Sequence, residues 1–183
     1  LGSYVLQAAV VEAQRWHKEL PRPDGQLFVS VNVSSRQLFK PDLVNEVRHI
    51  MGRGLLPKGT LRLEITETLV MENPEQATKV LDDLAAAGAI LALDDFGTGY
   101  SSLCYLNTFP FATIKIDRAL VHTSSNSGSS TAILRSIVAL AHELGKTVVA
   151  EGVETEEDVG LLRTIGCEHA QGFLYGEPIG ARE

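Results

Sequence analysis

Six apolar, β-rich runs punctuate the chain, and each carries a polar side chain near its C-terminal end, opposite an aliphatic face. They are "LFVSVNV" (27–33) with Asn32, "TLRLEIT" (60–66) with Glu64, "ILALDD" (90–95) with Asp94, "TIKID" (113–117) with Lys115, "TVVAE" (147–151) with Glu151 and "HAQGFL" (169–174) with Gln171. Successive side chains of a strand point to opposite faces. Val29, Val31 and Val33 therefore oppose Ser30, Asn32 and Ser34, and Leu61, Leu63 and Ile65 oppose Arg62, Glu64 and Thr66. The same alternation sets Leu91 and Leu93 against Asp94, and Ile114 and Ile116 against Lys115. An open doubly wound sheet has helices on both faces and nearly continuous apolar strands. Strands that are aliphatic on one face and polar on the other suit a closed barrel, with its site at the C-terminal rim.

Helical segments separate the strands. Asn73 is an N-cap candidate, with Pro74 at the first helical position and Gly88 at the stop. "STAILRSIVALAHELG" ends in the same way at Gly145, and Thr155 with Asp158 three residues on forms a capping-box pattern. Strand–helix alternation of this kind predicts parallel strands joined by right-handed crossovers. The fold class expected is α/β, a TIM-like (β/α)8 barrel. Since such barrels take about 250 residues, the 183 residues here are expected to form a single, N-terminally incomplete barrel domain over 1–183, with the first two strands absent. The polar stretch "HTSSNSGSST" (122–131) reads as a flexible loop.

The formal net charge of −7, with no run of lysine and arginine, argues against a polymeric nucleic-acid partner. An anionic substrate would need metal ions to offset the repulsion. Cys104 and Cys167 lie far apart in the chain and read as free thiols in a reducing compartment. No apolar run reaches membrane-spanning length, and the opening "LGSYVLQAAV" lacks a charged signal region. The expected location is cytoplasmic, with no membrane contact by this segment, and the start inside a helical pattern suggests a longer parent.

Buried carboxylates without partners are costly, and oxygen donors converging from neighbouring strands suit a hard divalent cation such as Mg²⁺ or Mn²⁺. Asp94 points inward with the other polar residues. Asp95 ends the strand, where "FGTG" frees the backbone to turn its carboxylate toward the same centre. Adjacent carboxylates can then serve two metals, an arrangement used for displacement at phosphorus. The alternative is that Asp95 only caps the following turn. His17, His49, His122 and His142 share no spacing and read as packing or solvated residues. His169, in phase with Gln171, reads as a structural residue deeper in the barrel.

In order and approximate spacing, "SVNVSSRQL", "LEITE", "LDDFGTGYSSL", "IKID", "AEGVE" and "AQGFLYGEPI" resemble the EAL domain, the bacterial cyclic di-GMP phosphodiesterase. The resemblance implies a TIM-like barrel with one antiparallel strand and a two-metal site of Mg²⁺ or Mn²⁺. It implies metal ligation by Asn32, Glu64, Asp94, Asp95 and Glu151, with Asp94 bridging the two ions. Glu151 is also a general-base candidate, and both roles stay open. Lys115 would sit near the attacking water and scissile phosphate, and Gln171 would orient water or substrate. Glu67 would complete the catalytic set by steadying the loop 96–102, with Glu154 and Asp117 at the substrate-side rim.

The implied reaction is hydrolysis of one phosphodiester of cyclic di-GMP to linear pGpG. The implied partners are cyclic di-GMP, a second copy in a homodimer, and fused sensory or GGDEF-type domains. The Glu-Ala-Leu motif itself is not in these residues; in the family it lies on the second strand. Two other readings compete with hydrolysis. One is a non-catalytic cyclic di-GMP receptor, and the other is an enolase-like metal-dependent barrel, against which the motif order argues.

Overall fold

The computed structural model describes residues 2–20, 27–97, 103–126 and 128–181, without the side chains of 103–105, 124–126 and 128. The strands are β1 (Val29–Asn32), β2 (Leu61–Thr66), β3 (Ile90–Phe96), β4 (Phe111–Ile116), β5 (Thr147–Ala150) and β6 (His169–Ala170). They follow chain order in one sheet, and the β1–β2, β4–β5 and β5–β6 pairs are parallel. The helices are α1 (Gly2–Glu19), α2 (Ser35–Leu38), α3 (Pro41–Gly52), α4 (Glu67–Glu72), α5 (Pro74–Ala86), α6 (Leu103–Thr108), α7 (Arg118–Asn126), α8 (Gly128–Glu143) and α9 (Glu156–Ile165). None of the described helices is long and apolar enough to cross a membrane.

The chain divides into two compact units, 1–92 with 108–110, and 93–107 with 111–183. In the first, β1 and β2 run in register from Val29 opposite Leu61 to Asn32 opposite Glu64. Leu61, Leu63 and Ile65 are fully buried, as are Val47 of α3 and Leu81 and Leu84 of α5. That is the aliphatic face expected from the alternation. The Asn73 side chain accepts a hydrogen bond from Gln76 N at 3.2 Å, and Pro74 opens α5. In the second unit, Ile114, Ile116, Val148 and Ala150 are buried to zero exposure with Leu134, Val138 and Ala141 of α8.

Two expectations fail here. In the stretch expected to be a loop, 122–126 and 128–131 are helical: α7 runs through Asn126 and α8 starts at Gly128. Asp117 Oδ1 accepts from Ala119 N at 2.8 Å, and Thr123 Oγ1 bonds back to Ala119 O at 2.6 Å. Serine and threonine are poor helix formers by composition, but an aspartate at the start and Val121 buried in the core override that preference. The sixth strand is two residues long, not six. Val153 N donates to Gln171 O at 3.0 Å, Leu174 N to Val153 O at 3.1 Å and Tyr175 N to Gly172 O at 3.1 Å, so the chain turns over Val153. A Cβ at residue 172 would overlap the Val153 backbone, and glycine permits this close approach.

Candidate active site

In the second unit, three carboxylates and a lysine meet at the C-terminal ends of β3, β4 and β5. Asp94 and Lys115 are 7% and 6% exposed. Lys115 Nζ lies 3.0 Å from Asp94 Oδ1 and 2.6 Å from Glu151 Oε1, bridging two carboxylates. Asp94, Asp95 and Glu151 each present a carboxylate oxygen within 4.8 Å of the others. Asp94 Oδ1 is fully buried and receives no directed hydrogen bond; its contact with Lys115 is an ion pair by distance alone.

Asp95 reaches this cluster through its own backbone. Among the described residues it is the one non-glycine at positive φ, +55°, a left-handed conformation that aspartate tolerates better than most residues. The turn expected of the glycine segment is thus already made at Asp95, before Gly97. Burial pushes the Asp95 carboxyl pKa above its usual value. The charges of Asp94 and Asp117 push the same way, and Lys115 pulls it back.

Glu151 stands one residue past β5, where its N–H donates to Ile116 O at 3.0 Å and prolongs the ladder. The next residue, Gly152, has φ +68°, and a Cβ there would overlap Arg118 Cβ. The following turn is closed by the expected capping box. Thr155 Oγ1 accepts from Asp158 N at 3.1 Å, and Asp158 Oδ2 accepts from Thr155 N at 3.0 Å. Glu154 is exposed with Oε1 3.8 Å from His122 Nε2, a contact that spacing in the chain does not foretell. Gln171 continues β6 through Gln171 N donating to Ala150 O at 2.8 Å, but its side chain is exposed. Asp117 caps α7. His169, expected to lie deep, is exposed because β6 is a two-residue strand at the end of the sheet order.

In the first unit, Asn32 is exposed, and Glu64, its register partner, is 8% exposed. Glu67 is the first residue of α4 and 4% exposed; the residues 98–102 that it was expected to steady lie outside the described ones. One feature went unassigned in the alternation pattern. Arg62, two positions before Glu64, lays its guanidinium carbon 3.4 Å from the centre of the Phe28 ring. Its phase with Glu64 was the available signal.

Two clustered aspartates, one of them buried, and a glutamate form a donor set that fits a divalent cation with oxygen ligands. The EAL domain family model matches residues 1–178. The bifunctional diguanylate cyclase/cyclic di-GMP phosphodiesterase MucR of Pseudomonas aeruginosa is 37% identical over 183 residues, which is 100% of this chain and 26% of that protein. The chain spans about a quarter of the length of the curated relatives it matches. The structure of the MucR phosphodiesterase in complex with c-di-GMP superposes with TM-score 0.90, covering 99% of this chain and 72% of that one. The EAL domain of Mycobacterium smegmatis DcpA is 40% identical with TM-score 0.90, covering 100% and 81%. A manganese and cyclic di-GMP complex of Klebsiella pneumoniae BlrP1 is 36% identical with TM-score 0.81, covering 94% and 44%. With its α/β fold shared with these structures and the family model matching residues 1–178, the chain belongs to the EAL domain family.

Proposed function

We propose that the chain carries out metal-dependent hydrolysis of cyclic di-GMP, opening one 3′,5′-phosphodiester to give linear pGpG. The observation that carries this reading is the trio Asp94, Asp95 and Glu151, with ligand oxygens within 4.8 Å of one another and Lys115 bridging two of them. Asp94, Asp95 and Glu151 of the second unit, and Asn32 and Glu64 of the first, are the proposed ligands for Mg²⁺ or Mn²⁺. Bound there, such ions acidify water and neutralise charge on a phosphate.

The chain's own groups do the rest. Lys115, almost without solvent, offsets the charges of Asp94 and Glu151 and brings a positive charge toward the scissile phosphate. Glu151, named above among the ligands, is also the proposed acceptor of the attacking water's proton. Gln171, next to the β5 end through its backbone bond to Ala150, is positioned to orient water or substrate. Glu67, Glu154 and Asp117 are proposed to support the rim rather than touch the reacting atoms. The c-di-GMP in the MucR and BlrP1 complexes supports the substrate class.

The test is production of pGpG from cyclic di-GMP by the purified protein with Mg²⁺ or Mn²⁺, with Asp94→Ala as control and ligand binding followed in parallel. We expect pGpG from the wild type and none from the variant. Tight binding without cleavage by the wild type would make the protein a receptor and overturn the catalytic reading.

A further inference from the structure

The first unit carries a cation on the Glu64 face of β2. Arg62 and Glu64 lie two residues apart on β2, so their side chains leave the same strand face about 7 Å apart. Phe28, the residue before β1, presents its ring to the Arg62 guanidinium at 3.4 Å. Arg62 Nε is buried and has no hydrogen-bond partner among the described residues, although arginine donors in protein interiors are normally satisfied. The guanidinium is stacked on a ring face, an arrangement that fixes a planar cation in place. Burial opposes its charge, and Glu64 supports it.

We propose that Arg62, clamped by Phe28, is a positioning residue for Glu64: an internal counter-charge that offsets the carboxylate in the metal-free protein and weakens its hold on a divalent cation. This rests on the reading of Glu64 as a metal ligand. Two effects of opposite sign follow from Coulomb's law. Without metal, the arginine stabilises the buried carboxylate, so removing it lowers stability. With metal, like charges repel, so removing it tightens binding. A side chain that only packed would show the first effect and not the second.

Mn²⁺ titrated into the purified protein, with free ion read by its electron paramagnetic resonance signal, separates these cases. Melting in EDTA is recorded alongside. We expect Arg62→Met to bind Mn²⁺ about 3- to 10-fold more tightly while melting lower in EDTA, and Arg62→Lys to keep wild-type affinity. Arg62→Gln replaces the methionine variant should that one fail to fold. Unchanged or weaker binding in the neutral variant, with Glu64→Gln still weakening it, overturns the counter-charge and leaves Glu64 a ligand. Glu64→Gln binding like the wild type overturns the ligand reading and the inference together.

Discussion

Asp95 takes a backbone conformation that most residues avoid, and its carboxyl is pushed above its usual pKa chiefly by burial. The charged form is therefore disfavoured in the folded protein relative to the unfolded one. The resulting cost is absent below the ordinary value of 3.8, grows as pH rises through the raised folded value, and is constant above it. Asparagine tolerates the left-handed region and carries no charge. Asp95→Asn should accordingly melt about 2–4 °C higher than wild type at pH 7 in EDTA, with the difference shrinking as pH falls toward 3.8, and should lose hydrolysis. Calorimetric melts across pH check the sign; a difference that grows on acidification would refute it.

Lys115 makes the opposite case. Its removal leaves Asp94 and Glu151 without the cation between them, and breaking a buried ion pair costs about 3 kcal/mol or more. Lys115→Met should melt roughly 6–12 °C lower in EDTA, and Mn²⁺ should recover part of the loss. Recovery by Mn²⁺ separates a charge effect from a packing defect.

At the scale of elements, the loop between β5 and α9 decides where Glu151 stands. Gly152 combines φ +68° with a close approach to Arg118, so alanine there meets both backbone strain and overlap. Gly152→Ala should cost about 2–3 kcal/mol in denaturant unfolding and cut turnover more than substrate affinity, since the displaced group is the proposed proton acceptor. Steady-state kinetics with KM and kcat resolved would show it. Much of this loop was legible beforehand: Thr155 and Asp158 stand at a capping-box spacing, and the box forms. Asn73 and Pro74 likewise opened α5 as expected. The α7–α8 region and the short β6 were not legible, because burial of Val121 and the approach of Gly172 to Val153 are set by residues far away in the chain.

For the whole molecule, metal and stability are linked, because an ion that binds only the folded state stabilises it by mass action. Mn²⁺ at about a hundred times its dissociation constant should add about 2.7 kcal/mol, or roughly 5–10 °C in melting temperature. Glu64→Gln and Asp94→Asn should each lose most of that gain, and EDTA should reverse it. Melts in the absence of nucleotide isolate the effect from substrate binding. A melting temperature indifferent to Mn²⁺ would count against both sets of proposed ligands.

The alternation of Leu61–Ile65 against Arg62–Thr66, the caps, and the phase of Asn32, Glu64, Asp94, Lys115 and Glu151 were determined by the sequence alone. Periods of two and helix caps are local properties, readable from a few neighbouring residues. The tertiary structure decided what those residues meet. The left-handed turn at Asp95, the Lys115 bridge between Asp94 and Glu151, and the stacking of Arg62 on Phe28 all join or respond to groups brought close only by folding. The exposed side chain of Gln171 belongs with them: its phase was written in the strand pattern, but its surroundings depend on where β6 ends. Phase follows from covalent spacing, whereas contact, burial and charge balance depend on segments distant in the chain, and a local pattern holds no information about them.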